Sequence, residues 1–186
     1  MKVIVIAYAA KNLGDDMFLL KLAQCRPQHQ FYVLATAKAD IGAAGELENI
    51  QTITDSIYNH TTDFDALVVI GGSMFQKFPG WWRQWARYLL RFLRAKRLAI
   101  PIYVIGASFG PATNHIYLLA YRSLFRICRG VSVRDKQSAK RLRRIGSVEW
   151  HPDLLFASPL VQRTSSSGSS VGISVMEFGA ARMRSE

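Results

Sequence analysis

Short runs of β-branched and aliphatic residues alternate along this chain with longer stretches of helical period. Val3 to Tyr8 is the first such run, and its unbroken apolar character predicts a strand buried on both faces. A turn holding Gly14 follows. Asp15 or Asp16 there is placed to cap a helix from about Met17 to Gln24, which Pro27 closes. Phe31 to Thr36 reads as a second strand and Gln51 to Thr54 as a short third one. Ala39 to Leu47, between them, is small, polar and ambiguous. Ala66 to Ile70 is a central strand that ends in Gly71-Gly72. Beyond Pro79-Gly80 a long helix runs from Trp81 to about Leu98. Its cations Arg83, Arg87, Arg91 and Arg94 share one face, and Trp82, Tyr88, Leu89, Phe92 and Leu93 make up most of the other. The remainder repeats the alternation. Strands fall at Ile102 to Ile105, Val131 to Val133 and Val148 to Trp150, with helices at Asn114 to Arg126 and Lys136 to Ile145.

This order predicts an α/β domain, a Rossmann-like parallel sheet with helices on both faces, over residues 1–160. Residues 161–170 are Ser/Gly-rich and read as a linker. Val171 to Val175 then resembles the first strand of a second domain, so 171–186 is expected to be only its start. There is no internal repeat.

A parallel sheet puts every strand's carboxyl end on one rim, and that is where open α/β sheets bind ligands. Five groups fall there: Asn12-Leu13-Gly14-Asp15-Asp16, Gly71-Gly72-Ser73, Gly106 to Pro111, Arg134-Asp135, and Pro152-Asp153. Glycines at such ends allow close backbone approach, and helix N-termini aim N–H groups at anions. Each group also has a plain structural reading. The glycines can serve tight turns, and Asp15, Asp16 and Asp135 can cap helices. Arg134 stands out, because a lone cation at the end of a buried strand needs a partner. Asp15, Asp135 or Asp153 could be that partner, or a bound anion could.

Charge sharpens this picture. With 24 Lys+Arg against 13 Asp+Glu the chain carries +11, which favours phosphorylated substrates, nucleic acid or an anionic membrane as partners. Cys25 and Cys128 are far apart, lack metal-type spacing, and are expected to be buried free thiols in a reducing compartment. His29, His60, His115 and His151 show no mutual spacing for a metal, and no metal is expected. The sequence has no Gly-x-Ser-x-Gly elbow, no Walker loop and no dinucleotide fingerprint, which disfavours NAD and ATP. The apolar opening, Val3 to Ala10, is at the short end for a secretion signal and runs directly into Lys11-Asn12-Leu13-Gly14-Asp15-Asp16, so a buried first strand is the better reading; no run reaches the roughly 20 apolar residues of a membrane span.

Taken in order, these motifs resemble the polysaccharide pyruvyl transferase family. The likeness lies in the Asn-x-Gly-Asp turn at Asn12 to Asp15 and the Asp-x-hydrophobic-hydrophobic-Gly-Gly strand from Asp65 to Gly72. It continues in the Ser-hydrophobic-Gly-Pro loop at Ser108 to Pro111, the Ser-Val-Arg-Asp-x-x-Ser stretch at Ser132 to Ser138, and Pro152-Asp153 with Phe156 behind it. Each motif alone is loose; the ordered set is more specific.

The resemblance implies the N-terminal half of a two-domain fold like the GT-B glycosyltransferases. It implies transfer of pyruvyl from phosphoenolpyruvate to a sugar of a cell-surface polysaccharide or its lipid-linked precursor, as a ketal, with loss of phosphate and no cofactor. It assigns Arg134 to the donor's anionic groups. Asn12, Gly14, Asp15, Gly71, Gly72, Ser108 and Asp135 become further substrate contacts, and no catalytic acid is identified. The family's further basic and histidine residues lie in a C-terminal half absent here, so a truncated form is expected. Met176 to Glu186 is not expected to continue the family pattern. A cytoplasmic protein is expected, in peripheral contact with the inner face of an anionic membrane through its basic helices and Trp81, Trp82 and Trp85. A non-catalytic basic binding module for nucleic acid or an anionic membrane, the former disfavoured by the absence of known motifs, and another GT-B-like glycosyltransferase remain as alternatives.

Overall fold

In a computed structural model, the structure describes residues 1–8, 13–34, 41–110 and 114–157. The expected linker, the strand at 171–175, Asn12 and Pro111 lie outside the described residues. Seven parallel strands form one sheet: β1 (Lys2–Ile6), β2 (Gln30–Leu34), β3 (Ile50–Ile53), β4 (Ala66–Ile70), β5 (Ile102–Ala107), β6 (Gly130–Val133) and β7 (Val148–Trp150). Their spatial order is β3-β2-β1-β4-β5-β6-β7. The chain starts mid-sheet, winds outward through β3, returns beside β1 as β4 and winds outward the other way. The Rossmann-like reading is borne out. The register Val3↔Ala66, Ile4↔Leu67, Val5↔Val68 joins the two halves of this winding.

Five helices connect the strands: α1 (Leu13–Cys25), α2 (Asp55–His60), α3 (Trp81–Arg97), α4 (His115–Phe125) and α5 (Lys136–Leu142). Residues of β1 and β4 alternate between two cores, which is why Val3 to Ile6 and Ala66 to Ile70 are apolar without a break. Ile4, Ile6, Leu67, Val69, Ile102 and Val104 face the layer that holds Tyr58 of α2, Tyr88 and Phe92 of α3, Tyr117 and Tyr121 of α4 and Leu142 of α5. Val3, Val5, Val33, Val68 and Ile70 face Phe18, Leu19 and Ala23 of α1, with Ile41 and Ala44 at a 3₁₀ turn (Gly42–Glu46).

The structure departs from the sequence pattern in four places. Helix α1 begins at Leu13, so Asp15 and Asp16 stand inside its first turn rather than ahead of it as caps. Helix α2 was not expected; it is a six-residue turn too short to show a period. Cys25 is exposed at the end of α1, whereas Cys128 is buried and free, its thiol pushed up to about 12 by desolvation. On α3 the arginines are not one free face. Arg91 grips the Asp55 carboxylate through Nε and Nη2 at 2.6–3.0 Å. Arg94 donates to the Thr61 carbonyl and lies 5.4 Å above the Tyr58 ring. These contacts turn α3 so that Tyr88, Phe92 and Ala95 are buried while Trp82 and Leu93 are exposed. Trp81 and Trp85 pack partly into the core.

Among the described residues no helix is long and apolar enough to cross a membrane.

Candidate functional site at the carboxyl rim

The winding reverses between β1 and β4, and a crevice opens at the carboxyl ends of strands where such a reversal occurs. Three chain segments meet there. After β1, the first turn of α1 carries Asp15, whose side chain is buried. After β4 comes Gly71 at φ +135°, a conformation that L side chains rarely adopt. A Cβ on Gly71 would stand 2.8 Å from Asp15 Oδ1, so glycine is needed both for the turn and for the approach of the carboxyl. The Gly72 backbone hydrogen-bonds the same carboxyl.

Arg134, directly after β6, fills the next position. Its guanidinium lies flat against Gly72: a Cβ there would be 2.3 Å from Arg134 Cζ. Nη1 donates to Asp153 Oδ2 at 2.8 Å, and Nε donates to Ser108 Oγ at 2.8 Å. Ser108 arrives because β5 changes register beyond Val104 and Gly106 turns at φ +67°. Backbone bonds tie the same loops together, from Ser108 N to the Gly72 carbonyl at 2.8 Å and from Arg134 N to the Ala107 carbonyl at 3.1 Å. Arg134 retains 32% side-chain exposure and Asp153 16%. The cation is therefore held in place, yet solvent reaches it.

Behind Arg134 the network continues. Asp135 caps α5 by accepting from Ser138 N at 2.7 Å. The buried Ser138 hydroxyl donates to Asp135 Oδ2 at 2.7 Å and accepts from Phe109 N at 2.7 Å. Arg141 reaches the Phe109 carbonyl at 2.9 Å. Below these loops, Phe75 and Phe109 form a parallel bridge, and Tyr117 donates its hydroxyl to the Phe75 carbonyl. Phe75, Phe109, Tyr117, Tyr121 and Phe125 pack ring against ring, Phe109 and Tyr117 stacked with centroids 5.3 Å apart.

Electrostatics divide the two aspartates. Burial raises the Asp15 pKa above its ordinary value; the Arg134 charge and the Gly72 backbone oppose this, and the neighbouring Asp16 adds to it. Asp135 is partly desolvated as well, but the Ser138 hydroxyl and amide, the Ser108 hydroxyl and the Arg141 charge outweigh that and lower its pKa. Asp15 thus binds its proton more tightly than an ordinary aspartate, and Asp135 less tightly.

The family model for polysaccharide pyruvyl transferase matches residues 4–181. The chain belongs to the polysaccharide pyruvyl transferase family. The match extends past Met176, where the sequence pattern was not expected to continue it. Among curated proteins no significant match is found. A solved structure of similar fold is that of HepE from Anabaena in complex with UDP and glucose. It is 12% identical, with a TM-score of 0.55 over 82% of this chain and 44% of HepE. The chain thus spans under half the length of that protein, and the likeness concerns the fold alone.

Of the residues singled out from the sequence, Asp15, Gly71, Gly72, Ser108 and Arg134 converge on one spot at this family's rim. Gly14 stands in the first turn of α1 beside them. Asp135 belongs to the network but faces α5, so it orders the loop rather than lining the crevice. Asn12 lies outside the described residues. Asp153 was visible in the sequence only as one of three acids able to pair with Arg134; the structure selects it. Ser138 and Phe109 were missed as members of the network, although Ser138 ends the Ser-Val-Arg-Asp-x-x-Ser motif. The His151 ring lies 3.1 Å from the Glu149 carboxylate, and both side chains are exposed. Among the described residues no three His, Cys, Asp or Glu side chains stand together as a metal site.

Proposed function

We propose that this chain supplies one wall of a pyruvyl transfer site, with Arg134 holding the anionic groups of phosphoenolpyruvate. The observation that carries this reading is the half-exposed Arg134 guanidinium, set flat on Gly72 at the point where the strand order reverses. Its fork suits a phosphate or carboxylate. In this reading Asp15, which burial keeps protonated more readily than an ordinary aspartate, gives its proton to the methylene carbon of the donor. An acceptor hydroxyl oxygen then bonds to the central carbon and its proton passes back to the Asp15 carboxylate. A second hydroxyl oxygen displaces phosphate, which leaves with the other proton, and a ketal bridges two sugar oxygens. The acceptor is a saccharide of a surface polysaccharide or its lipid-linked precursor, and the protein meets it at an anionic cytoplasmic membrane surface.

Thermal melting with added phosphoenolpyruvate tests the donor assignment. The ligand is expected to raise the melting temperature of the native chain and not that of Arg134→Ala. Arg134→Lys, which keeps the charge but not the fork, is expected to retain a reduced shift. An undiminished shift in Arg134→Ala would remove Arg134 from the donor site. A second reading takes a nucleotide sugar as donor. It rests on the fold likeness to HepE, whose structure holds UDP and glucose. A melting shift with UDP but none with phosphoenolpyruvate would favour it.

A further inference from the structure

Eleven of the chain's 24 Lys+Arg and none of its 13 Asp+Glu lie between Ala66 and Arg134. This stretch therefore carries the whole excess of +11, and the remaining residues balance. It includes α3 and α4, which pack side by side with Trp85 Nε1 donating to the Ala120 carbonyl at 2.9 Å. Their outward faces are apolar where a solvated helix would be polar. Leu90 is 69% exposed, Ile116 69%, Leu119 63% and Trp82 56%. Spacings of eight between Trp82 and Leu90, and three between Ile116 and Leu119, set each pair on one stripe of its helix. Exposed Arg83, Arg87, Lys96, Arg97 and Arg126 flank the stripes, and Arg83 lies 5.2 Å over the Trp82 ring.

We infer that the outer face of α3 and α4 docks on an anionic lipid surface. The inference gives the membrane element of the proposed function a location and rests on that reading only there. Aliphatic groups inside a cationic frame free of carboxylates match a bilayer interface, where the side chains enter the acyl boundary and the cations meet headgroups. A second copy of this face would set one acid-free cationic frame against another. Nucleic acid has no use for exposed leucine and isoleucine, since it is read by cations and stacking rings. Arg91 and Arg94 take no part, being held by Asp55, Thr61 and Tyr58. Trp82 and Ile116 lie in the first turns of their helices, at the end of the sheet that carries Arg134. Docking therefore brings the carboxyl rim close to the headgroups, within reach of an acceptor whose sugar stands on a lipid.

Sedimentation of the full chain with vesicles tests this. Binding is expected to vesicles of phosphatidylcholine containing phosphatidylglycerol and not to phosphatidylcholine alone, and to weaken with salt. The triple variant Leu90→Ser, Ile116→Ser, Leu119→Ser is expected to lose at least about tenfold in partitioning, and each of Arg83→Gln and Arg87→Gln about fivefold. All variants are expected to keep the melting shift with phosphoenolpyruvate, so failure here is separable from failure of the donor assignment. Any one of these results would overturn the inference: no sedimentation with phosphatidylglycerol vesicles, sedimentation untouched by the triple variant, or a native dimer in light scattering that this variant splits into monomers. Retardation of duplex DNA that is as strong as vesicle binding and indifferent to the serine substitutions would also overturn it.

Discussion

The carboxyl rim and the outer face of α3 and α4 both present arginine, but in opposite settings. At the rim, Arg134 is anchored by Ser108 and Asp153 and pressed against Gly72, so its direction is settled before any ligand arrives. On the outer face, Arg87 and Arg97 project from exposed helix positions beside Leu90 and Leu93. An oriented fork discriminates among small anions by geometry, whereas a loose cation beside apolar groups answers only to charge density and hydrophobicity. In the proposed reading the same residue type serves selection in one place and adhesion in the other, and what decides is the packing beneath it.

Substitutions can break this contrast, beginning beneath the rim. Phe75 is fully buried among Tyr88, Tyr121 and Phe125. Phe75→Ala is expected to cost about 3–5 kcal/mol in urea unfolding. A cost below about 1 kcal/mol would mean that the aromatic layer does not hold the loops. Next in size is Ser138→Ala, which leaves Phe109 N and one Asp135 oxygen without their partner and is expected to cost about 1–3 kcal/mol. The phosphoenolpyruvate shift should weaken in the same variant if loop order matters to the site.

Stability against pH separates the two rim aspartates. The Asp15 pKa is raised from 3.8, so the protonated form favours the fold. Its contribution is full below the unfolded value and is lost as pH rises through the folded one. Asp15→Asn is therefore expected to raise the melting temperature at pH 7 by a few degrees and to do little at pH 3, while impairing transfer. The Asp135 pKa is lowered from 3.8; its contribution is present above that value and fades as pH falls through the lowered one. Asp135→Asn should accordingly lose stability at pH 7, and the deficit should close in acid. A gain at pH 7 from Asp135→Asn would reverse the assignment. The smallest effect belongs to the outer face: Leu90→Ser is expected to change urea stability by no more than about 0.5 kcal/mol. A larger loss would show that this face is covered by protein.

Strands β1 and β4 were the most legible, because they feed two cores and read as unbroken apolar runs, Val3 to Ile6 and Ala66 to Ile70. Their spatial order was not, since nothing in β4 itself says that it returns to pair with β1. Asp135 as a cap could be read from its position ahead of a helix, and the structure confirms that role. The partner of Arg134 could not be singled out, because three aspartates were equally placed in the sequence and only the parallel pairing of β6 with β7 brings Asp153 to Nη1. Helix α3 misled for a related reason. Arg91 and Arg94 look like solvated cations until α2, six residues long and without a period, supplies Asp55 and Tyr58 for them.

The bridge between Phe75 and Phe109 bears on how the crevice moves. The loop after β4 and the loop after β5 share one aromatic keel, and the Tyr117 hydroxyl fastens it to α4. Neither loop can swing open alone without exposing a ring that belongs equally to the other. The two loops therefore yield as a single panel, and a change at either ring reaches both.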